Sequence, residues 1–342
     1  MSGIINQHKV FDHSSSAEFD QITITNLLES ENNSIIIADI FSGLTAEKKY
    51  ISSKYFYDKT GSKLFEGITR LPEYYPTRTE KSILSRVAPD IIAFHGTPQI
   101  IELGSGDCSK ICILLDAFQE GGFESISYYP VDVSKAAVIQ SSEELIDKYP
   151  GLRVHGIVAD FMKHLDALPD GSNRLICFFG STLGNLGEKE ATDFICRVKH
   201  FMKKGDSFLL GLDIVKDVRT LELAYNDNQG ITDAFNKNIL SVVNNLATTN
   251  LHPEDFKHSA FFNSERSRIE MHLVALKDLV IESPHFSKKI TLKKGETIHT
   301  ENSRKFTKED IRQLANDSGL SIKGIHTDDN EWFSLVHFIC TG

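Results

Sequence analysis

The residues best suited to bind a ligand lie in a glycine-rich turn that follows a predicted buried strand. The strand is Gln99–Leu103, and the turn contains Gly104, Ser105 and Gly106, ahead of a predicted helix with Lys110 near its start. Glycine lets the backbone approach a ligand without a clash from a β-carbon, and the start of the helix offers free N–H groups. A lone G-x-G is a weak indication, but its position between a strand and a helix favours a nucleotide site.

Acidic residues stand at the ends of the next two predicted strands. Asp132 ends the second strand, where a carboxylate can face ribose hydroxyls, and Asp160 with Phe161 ends the third, where a carboxylate and a ring can hold an adenine. The carboxyl ends of parallel strands meet at one edge of a sheet, so these residues together predict an adenosine-containing ligand. Ser109 stands where the dinucleotide fingerprint has its third glycine. With Glu102 two positions before the first glycine, the pattern resembles that of class I methyltransferases and favours S-adenosylmethionine over NAD.

The elements that must position these residues alternate between short apolar strands and helices. Further strands are predicted at 127–133, 154–160, 174–179 and 207–212. Continuous apolar strands that alternate with helices indicate a parallel, doubly wound α/β sheet. A final pair of strands, at 321–326 and 332–340, is expected to return to this sheet.

The pattern changes after residue 216, where helices are followed by longer strands of alternating polarity. This change predicts an α+β insertion that packs with the N-terminal segment, which we expect to be helical with loops over residues 21–95. The predicted units are a flexible leader (1–20), a substrate-binding domain (21–77 plus 216–305) and an S-adenosylmethionine-binding domain (78–215 plus 306–342).

The composition excludes several classes of protein. The chain has 342 residues, of which 40% are hydrophobic and 25% charged, as is typical of globular proteins. Its 37 Lys and Arg against 47 Asp and Glu give a formal charge of -10, so binding to nucleic acid is not expected. The five cysteines form no C-x-x-C pair, and the sequence shows neither a signal peptide nor a transmembrane run. We therefore expect a cytoplasmic monomer without a membrane or metal site.

Five further segments resemble a known family. They are YDKTGSKLFEGITRLPEYYPTR (57–78), GSTLGNL (180–186), LDIVKD (212–217), IEM (269–271) and TENSRKF (300–306). They resemble the histidine-specific N-methyltransferases of ergothioneine biosynthesis, which use S-adenosylmethionine to trimethylate the α-amino group of L-histidine to hercynine. The resemblance implies a class I, Rossmann-like sheet with a second, discontinuous α+β substrate domain. Methyl transfer from a sulfonium needs no metal.

The resemblance also assigns roles to individual residues. The positions that match cofactor contacts are Gly104, Lys110, Asp132, Asp160 and Phe161, to which the glycine turn adds Ser105 and Gly106. The positions that match substrate contacts are Tyr74, Asn185 and Tyr225 at the amino-acid head group, Tyr57 and Phe65 beside the amine and the methyl donor, Met271 along the ring, and Glu301 and Ser303 at the imidazole. Tyr57, Tyr74 and Asn185 are the expected catalytic residues, because uncharged hydroxyl and amide groups can orient a neutral amine.

Two other functions stay open at this point. A methyltransferase of the same fold that acts on another amino acid would lack the imidazole contacts of Glu301 and Ser303. The presence of Tyr74, Asn185 and Asp132 argues against the other alternative, a non-catalytic S-adenosylmethionine-binding protein. The chain also departs from the family pattern at Asn302, where an apolar residue is expected, and at Arg304, where a cysteine is expected. On residue type alone, the tyrosines would be an aromatic core cluster and the glutamate a solvated charge.

Overall fold

The structure is a computed structural model that describes residues 21–28, 33–96, 98–123 and 125–342. The predicted leader, residues 1–20, lies outside the described residues. The strands are β1 (Ile22–Asn26), β2 (Gln99–Leu103), β3 (Ile126–Asp132), β4 (Leu152–Val158), β5 (Arg174–Phe178), β6 (Ser207–Asp213), β7 (Phe256–Asn263), β8 (Arg268–Ala275), β9 (Leu279–Ile281), β10 (Ile290–Leu292), β11 (Thr297–Arg304), β12 (Ser321–Thr327) and β13 (Phe333–Ile339). The α-helices are α1 (Asn33–Thr45), α2 (Lys59–Thr69), α3 (Tyr75–His95), α4 (Ile111–Glu120), α5 (Lys135–Lys148), α6 (Glu188–Phe201), α7 (Val218–Leu223), α8 (Ile231–Ala247) and α9 (Lys308–Ser318).

Eight of the described strands form one large sheet in the order β1-β4-β3-β2-β5-β6-β13-β12. The first six are parallel; β13 pairs antiparallel with β6, and β12 pairs antiparallel with β13. The strand order reverses between β2 and β5, and the crevice outside the carboxyl ends of the strands at such a point is where ligands bind in sheets of this class. The predicted doubly wound α/β sheet and the return of the C-terminal strands to it are confirmed.

Both faces of this sheet are covered by helices. β5 and β6 are buried at every residue, which explains the apolar runs 175–178 and 208–212 within them. Successive side chains of β2 point to opposite faces of the sheet. Ile100 therefore packs in the core that contains Leu84 of α3, and Ile101 packs in the core that contains Phe194 of α6. Since the faces are occupied, a ligand must approach the sheet at the strand ends.

A second unit is built on the three-stranded antiparallel sheet β11-β8-β7. Its apolar face shares one core with α1, α2 and α8. The register of β11 against β8 shifts between His299 and Glu301, so that Thr300 forms a bulge. The Thr300 hydroxyl is 2.6 Å from Asn236 Oδ1 and 3.1 Å from the Met271 carbonyl oxygen. These contacts hold the bulge in place, and a bulge of this kind re-aims the side chains that follow it.

Some elements differ from the sequence-based expectation. Residues 22–26, expected to be helical, form the edge strand β1, in which Ile22 pairs with Val154. The helical prediction for this segment was wrong because Ile and Thr alternate over only a few residues and the partner strand is distant in the chain. β7 and β11 were not predicted as strands. The division of the chain into two domains stays a prediction. Within the described ranges, no helix is both long and apolar enough to span a membrane.

Candidate active site

The glycine turn and the end of β3 are joined by hydrogen bonds. The N–H of Gly104 donates to the carbonyl of Val131 (2.7 Å), and the N–H of Gly106 donates to the carboxylate of Asp132 (3.2 Å). Gly104 and Gly106 have φ values of +69° and +53°, a region that costs other residues about 1–2 kcal/mol. The turn therefore favours glycine at both positions, and it lies directly beside the Asp132 carboxylate.

The groups around this turn fit an adenosine-containing cofactor. The Ser105 hydroxyl is buried and has no hydrogen-bond partner among the described residues, so a polar group of a ligand would satisfy it. A β-carbon on Gly106 would lie 4.0 Å from its nearest neighbour, which leaves the backbone open to a close approach. The Asp132 carboxylate accepts from the N–H of Ser134 (2.9 Å) as well as from Gly106. A carboxylate has about four acceptor sites, so Asp132 can still accept from a ribose hydroxyl beside its backbone donors.

Lys110 connects the glycine turn to the loop after β5. Its ammonium is 2.8 Å from the Glu80 carboxylate, which is fully buried and also accepts from the N–H of Gly180 (2.9 Å). Burying a carboxylate requires such partners. Glu80 thus connects the glycine turn to the loop after β5 and holds the Lys110 ammonium in a fixed position. The role of Lys110 as a cofactor contact stays a prediction.

Asp160 and Phe161 lie in the loop that follows β4. Asp160 accepts from the N–H of Met162 (2.9 Å), which fixes the turn. The ring of Phe161 packs edge-to-face on Phe178 (5.3 Å between centroids) and lies 3.8 Å from the position of a β-carbon on Gly104. The aromatic ring is therefore next to the glycine turn, where the sequence predicted an adenine contact.

Two local signals place the aromatic side chains of the predicted substrate site. Tyr57 directly precedes Asp58, whose carboxylate caps α2 by accepting from the N–H of Gly61 (2.7 Å). One turn further along, α2 carries Phe65. Tyr74 directly precedes α3, which begins with a proline in its first turn. Both tyrosines thus stand at fixed helix starts.

These rings form a continuous row. Tyr57 contacts Phe65 (5.8 Å between centroids), Phe65 contacts Tyr74 (6.3 Å), and Tyr74 contacts Tyr225 (6.2 Å), all edge-to-face. Burial raises the pKa of the hydroxyls of Tyr57, Tyr74 and Tyr225 well above the usual range, and the negative charge of the Glu301 carboxylate raises these pKa values further. The hydroxyls are therefore neutral hydrogen-bonding groups at physiological pH. The charge of the Asp132 carboxylate also contributes to the raised pKa of Tyr57.

Asn185 ends a short 3₁₀ helix, Thr182–Asn185, in the loop after β5. A β-carbon on Gly184 would lie 2.8 Å from the carbonyl oxygen of Arg304, so only glycine lets this helix pack directly against β11. The hydroxyl of Ser181 accepts from the N–H of Asp213 (2.9 Å). Asn185 is thereby held between the large sheet and β11.

Glu301 and Ser303 lie on β11 after the bulge. Glu301 stands opposite Met271 of β8 in the register, so the predicted imidazole contact and the predicted ring contact are neighbours. Burial raises the pKa of the Glu301 carboxyl to about 7, although the positive charge of Lys305 opposes this rise. The Ser303 hydroxyl accepts from the Tyr225 hydroxyl (2.7 Å) and from the Lys305 ammonium (2.8 Å). Both bonds use lone pairs of the Ser303 oxygen, so its own hydrogen remains available to donate.

A buried ionic cluster lies behind Ser303. The Lys305 ammonium is fully buried and 2.8 Å from the Asp213 carboxylate, which is also 2.6 Å from the Lys216 ammonium and accepts from the Tyr75 hydroxyl (2.8 Å). Burial alone would raise the pKa of Asp213, but the two lysines hold it below its usual range. Burial lowers the pKa of Lys216 to about 8, although Asp213 opposes this. The cluster fixes the end of β11 against β6.

Sequence reasoning assigned no role to these four cluster residues, Tyr75, Asp213, Lys216 and Lys305. All four lie in segments that carry the family resemblance. The sequence did contain an indication of this cluster, because charged residues stand beside apolar ones: Asp213 follows the apolar run 208–212, and Lys305 is next to Phe306. Because buried charges persist only when they are paired, the two segments could have been predicted to meet.

Comparison with known proteins identifies the family. The sequence model described as "Histidine-specific methyltransferase, SAM-dependent" matches residues 36–340. The chain belongs to this family. The Histidine N-alpha-methyltransferase of Mycolicibacterium smegmatis is 38% identical over 297 residues, which cover 87% of this chain and 92% of that protein. The protein of the same name from Mycobacterium tuberculosis is 35% identical over 307 residues, which cover 90% and 94%.

A third relative is a longer protein. Ergothioneine biosynthesis protein 1 of Schizosaccharomyces pombe is 29% identical over 277 residues, which cover 77% of this chain and 35% of that protein. Membership of the histidine-specific methyltransferase family confirms the predicted family and an S-adenosylmethionine-dependent enzyme. The roles of the individual site residues stay predictions.

Proposed function

We propose that this histidine-specific methyltransferase transfers methyl groups from S-adenosylmethionine to the α-amino group of L-histidine, three times, to give hercynine. The observation that carries the proposal is the placement of Glu301 and Ser303. The chain belongs to a histidine-specific family, and in it Glu301 and Ser303 lie together on β11, next to Met271 and Tyr225. This offers a carboxylate, a hydroxyl and an apolar side chain to one small ring.

The proposed cofactor site is the crevice at the strand-order reversal. Gly104, Ser105 and Gly106 supply a close backbone approach and the unpartnered hydroxyl, and Asp132 supplies acceptors for ribose hydroxyls. Lys110, Asp160 and Phe161 complete the cofactor contacts. When bound, S-adenosylmethionine supplies a methyl group on a sulfonium, which the lone pair of an amine displaces in line.

The residues around the amine act by position. A free α-amino group has a pKa of about 8 in peptides, and only its neutral form has the lone pair that attacks. Tyr57, Tyr74 and Asn185 offer neutral hydroxyl and amide groups, because the raised pKa values keep both tyrosines protonated. They can orient the amine without the ion pair that a carboxylate would form with its protonated form. Holding the reacting atoms in line supplies roughly 7–11 kcal/mol of rate enhancement.

Recognition of the imidazole ring rests on β11. In the ionised form, the Glu301 carboxylate accepts the N–H of the ring, while the Ser303 hydroxyl can donate to the other ring nitrogen. Ser303 already accepts one hydrogen bond from Tyr225 and one from Lys305, so its own hydrogen is available to donate. A site built to hydrogen-bond a group rejects analogues that lack it by ~10⁴–10⁵. This is the proposed basis for histidine over other amino acids.

Three methyl transfers need polar contacts that tolerate a growing amine. The hydroxyls of Tyr57 and Tyr74 can each accept from an N–H or pack beside a methyl group. Each transfer to a neutral amine gives an ammonium, which must release a proton to solvent before the next transfer, and the third transfer leaves a quaternary cation without an N–H. The proposal further includes a cytoplasmic monomer that binds neither nucleic acid nor a metal for the transfer itself. The negative net charge of the chain supports the absence of nucleic acid binding.

A matched pair of variants tests the imidazole contact. Glu301→Ala should lower kcat/KM for histidine by about 10–150-fold, the value of a hydrogen bond to a charged group of about 1.5–3 kcal/mol. Its affinity for S-adenosylmethionine, measured by calorimetry, should change less than about twofold, because Glu301 is assigned to the substrate and not to the cofactor. Glu265→Ala, in the exposed turn between β7 and β8, is the control and should match wild type. Equal histidine turnover by Glu301→Ala and the control would reject the assignment.

A further inference from the structure

The outer face of the sheet β11-β8-β7 carries a second group of functional side chains. Along β8, Met271 faces the core, whereas Glu270 and His272 point to the opposite face, where His299 of β11 stands directly opposite His272 in the register. Glu270, His272 and His299 each offer one ligand atom, and these atoms all lie within 4.8 Å of one another. The proposed methyl transfer uses none of these side chains. We infer that Glu270, His272 and His299 form a binding site for a divalent transition-metal ion such as Zn²⁺.

The orientation of each side chain suits metal binding. The Nε2 of His299 is 3.0 Å from the carbonyl oxygen of Glu301. Since that oxygen can only accept, Nε2 carries the hydrogen in this contact, and the Nδ1 of a neutral ring keeps its lone pair. A histidine ligand typically donates its second N–H to a carbonyl or carboxylate in this way, which fixes the ring for the metal.

The Glu270 carboxylate is oriented by its neighbours. Its Oε1 accepts from Arg268 (2.8 Å) and from Asn263 (3.0 Å), whereas its Oε2 faces the Nε2 of His272 at 3.3 Å. The rings of His272 and His299 are 4.9 Å apart between centroids. One carboxylate oxygen is thus held by hydrogen bonds, and the other is turned toward the two imidazoles.

Two polar atoms on this face are buried without a partner. In the part of the chain that the structure describes, neither Nδ1 of His272 nor Oδ1 of Asn302 has a hydrogen-bond partner. Asn302 stands opposite Glu270 in the register, so its side chain is on the same face. Unpaired buried polar atoms are rare in folded proteins, and a water molecule bound to a cation at this site could hydrogen-bond to them.

The donor set selects the class of ion. Two imidazoles and one carboxylate suit Zn²⁺ and related transition metals, whereas Mg²⁺ and Ca²⁺ prefer oxygen ligands throughout. Three protein ligands leave a position for water. The ion would join β8 to β11 and, through the bond from His299 to the Glu301 carbonyl, would stiffen the bulge that precedes the proposed imidazole contact. The sequence did not predict this site, because its ligands come from two strands that lie far apart in the chain.

The test uses Co²⁺ as a spectroscopic probe and Zn²⁺ in calorimetry, on the full chain after treatment with a chelator. Wild type should bind one ion per chain, with visible ligand-field absorption for Co²⁺. His272→Ala and His299→Ala should each lower the affinity at least tenfold. His252→Ala, which changes an exposed histidine outside this sheet, should bind as wild type does.

Two controls keep the result decisive. Glu270→Gln preserves the size of the side chain and should lose affinity in the same way if either alanine variant fails to fold. S-adenosylmethionine binding by calorimetry reports that each variant is folded. Absence of stoichiometric binding to wild type would overturn the inference. So would binding that persists undiminished in all three variants, since the ion would then lie elsewhere, for example at cysteines. Because no histidine is present in these titrations, their outcome is independent of the proposed methyl transfer.

Discussion

Replacing Lys305 by methionine removes a buried charge from the centre of the site and keeps most of the length of the side chain. The ammonium is 2.8 Å from the Asp213 carboxylate, 2.8 Å from the Ser303 hydroxyl and 3.1 Å from the Tyr225 hydroxyl. Methionine donates no hydrogen bond. Asp213 therefore loses one of its two cations, and the two hydroxyls lose their charged donor.

The expected loss in the free energy of unfolding is about 3 kcal/mol. Removing one partner of a buried ion pair costs about 3–5 kcal/mol, because the other charge stays buried without compensation. Asp213 belongs at the lower end of that range, since it keeps the Lys216 ammonium at 2.6 Å and the Tyr75 hydroxyl at 2.8 Å. In a chain of 342 residues, with an unfolding entropy of about 2.1 cal/mol/K per residue, the loss corresponds to a fall in the thermal midpoint of roughly 4 °C.

Scanning calorimetry of wild type, Lys305→Met and Lys308→Met measures this effect. Lys308 makes the same kind of contact, 2.9 Å from Glu331, but its side chain is 53% exposed, so the identical substitution should cost at most about 1 kcal/mol. Lys305→Met should also raise KM for histidine about tenfold, because Ser303 and Tyr225 lose a hydrogen bond worth about 1.5 kcal/mol. Its affinity for S-adenosylmethionine should be unchanged. Equal thermal midpoints for the two variants would refute the account of the buried cluster.

Three further predictions concern the cofactor side of the protein. Asp132→Ala should weaken S-adenosylmethionine binding in calorimetry at least tenfold, as expected for a lost charged hydrogen bond of about 1.5–3 kcal/mol; unchanged affinity would remove Asp132 from the ribose role. Gly106→Ala, at φ +53°, should cost about 1–2 kcal/mol in stability, and a midpoint equal to that of wild type would show that the turn tolerates a side chain. Burial raises the pKa of Glu102 to about 8 from 4.5, although a hydrogen bond from Tyr128 opposes this. The folded state therefore binds the proton more tightly, and this contribution to stability is complete below about pH 4.5 and lost as the pH rises toward 8. Glu102→Gln should flatten the fall in thermal midpoint across that range, and an unchanged pH profile would contradict the assignment.

Most of the large sheet could be predicted from the sequence because its strands are short, apolar and separated by helices. β5 and β6 are buried throughout, so their apolar runs were unambiguous. β1 could not be recognised, since only every second residue is half-buried and its pairing with β4 depends on tertiary contact. β11 was obscured by its polar sequence, which includes Glu301 and Ser303.

The candidate site could be predicted only in part, for a physical reason. The glycine turn and the strand-end acids are local patterns, and the structure places Gly106 and Asp132 in direct contact. The ionic cluster joins residues more than ninety positions apart, such as Asp213 and Lys305, and no local pattern reports such a contact. Sequence reasoning also could not find that Ser303 is already bonded to Tyr225, because this depends on the bulge in β11.

The central claim is tested most directly by mass spectrometry of the products formed from S-adenosylmethionine and an equimolar mixture of the twenty free amino acids. The account predicts mono-, di- and trimethylated histidine, with fragmentation placing every methyl group on the α-nitrogen and the trimethylated form accumulating at long times. Methylation of another amino acid with histidine unchanged, or methyl groups on the imidazole ring, would contradict it.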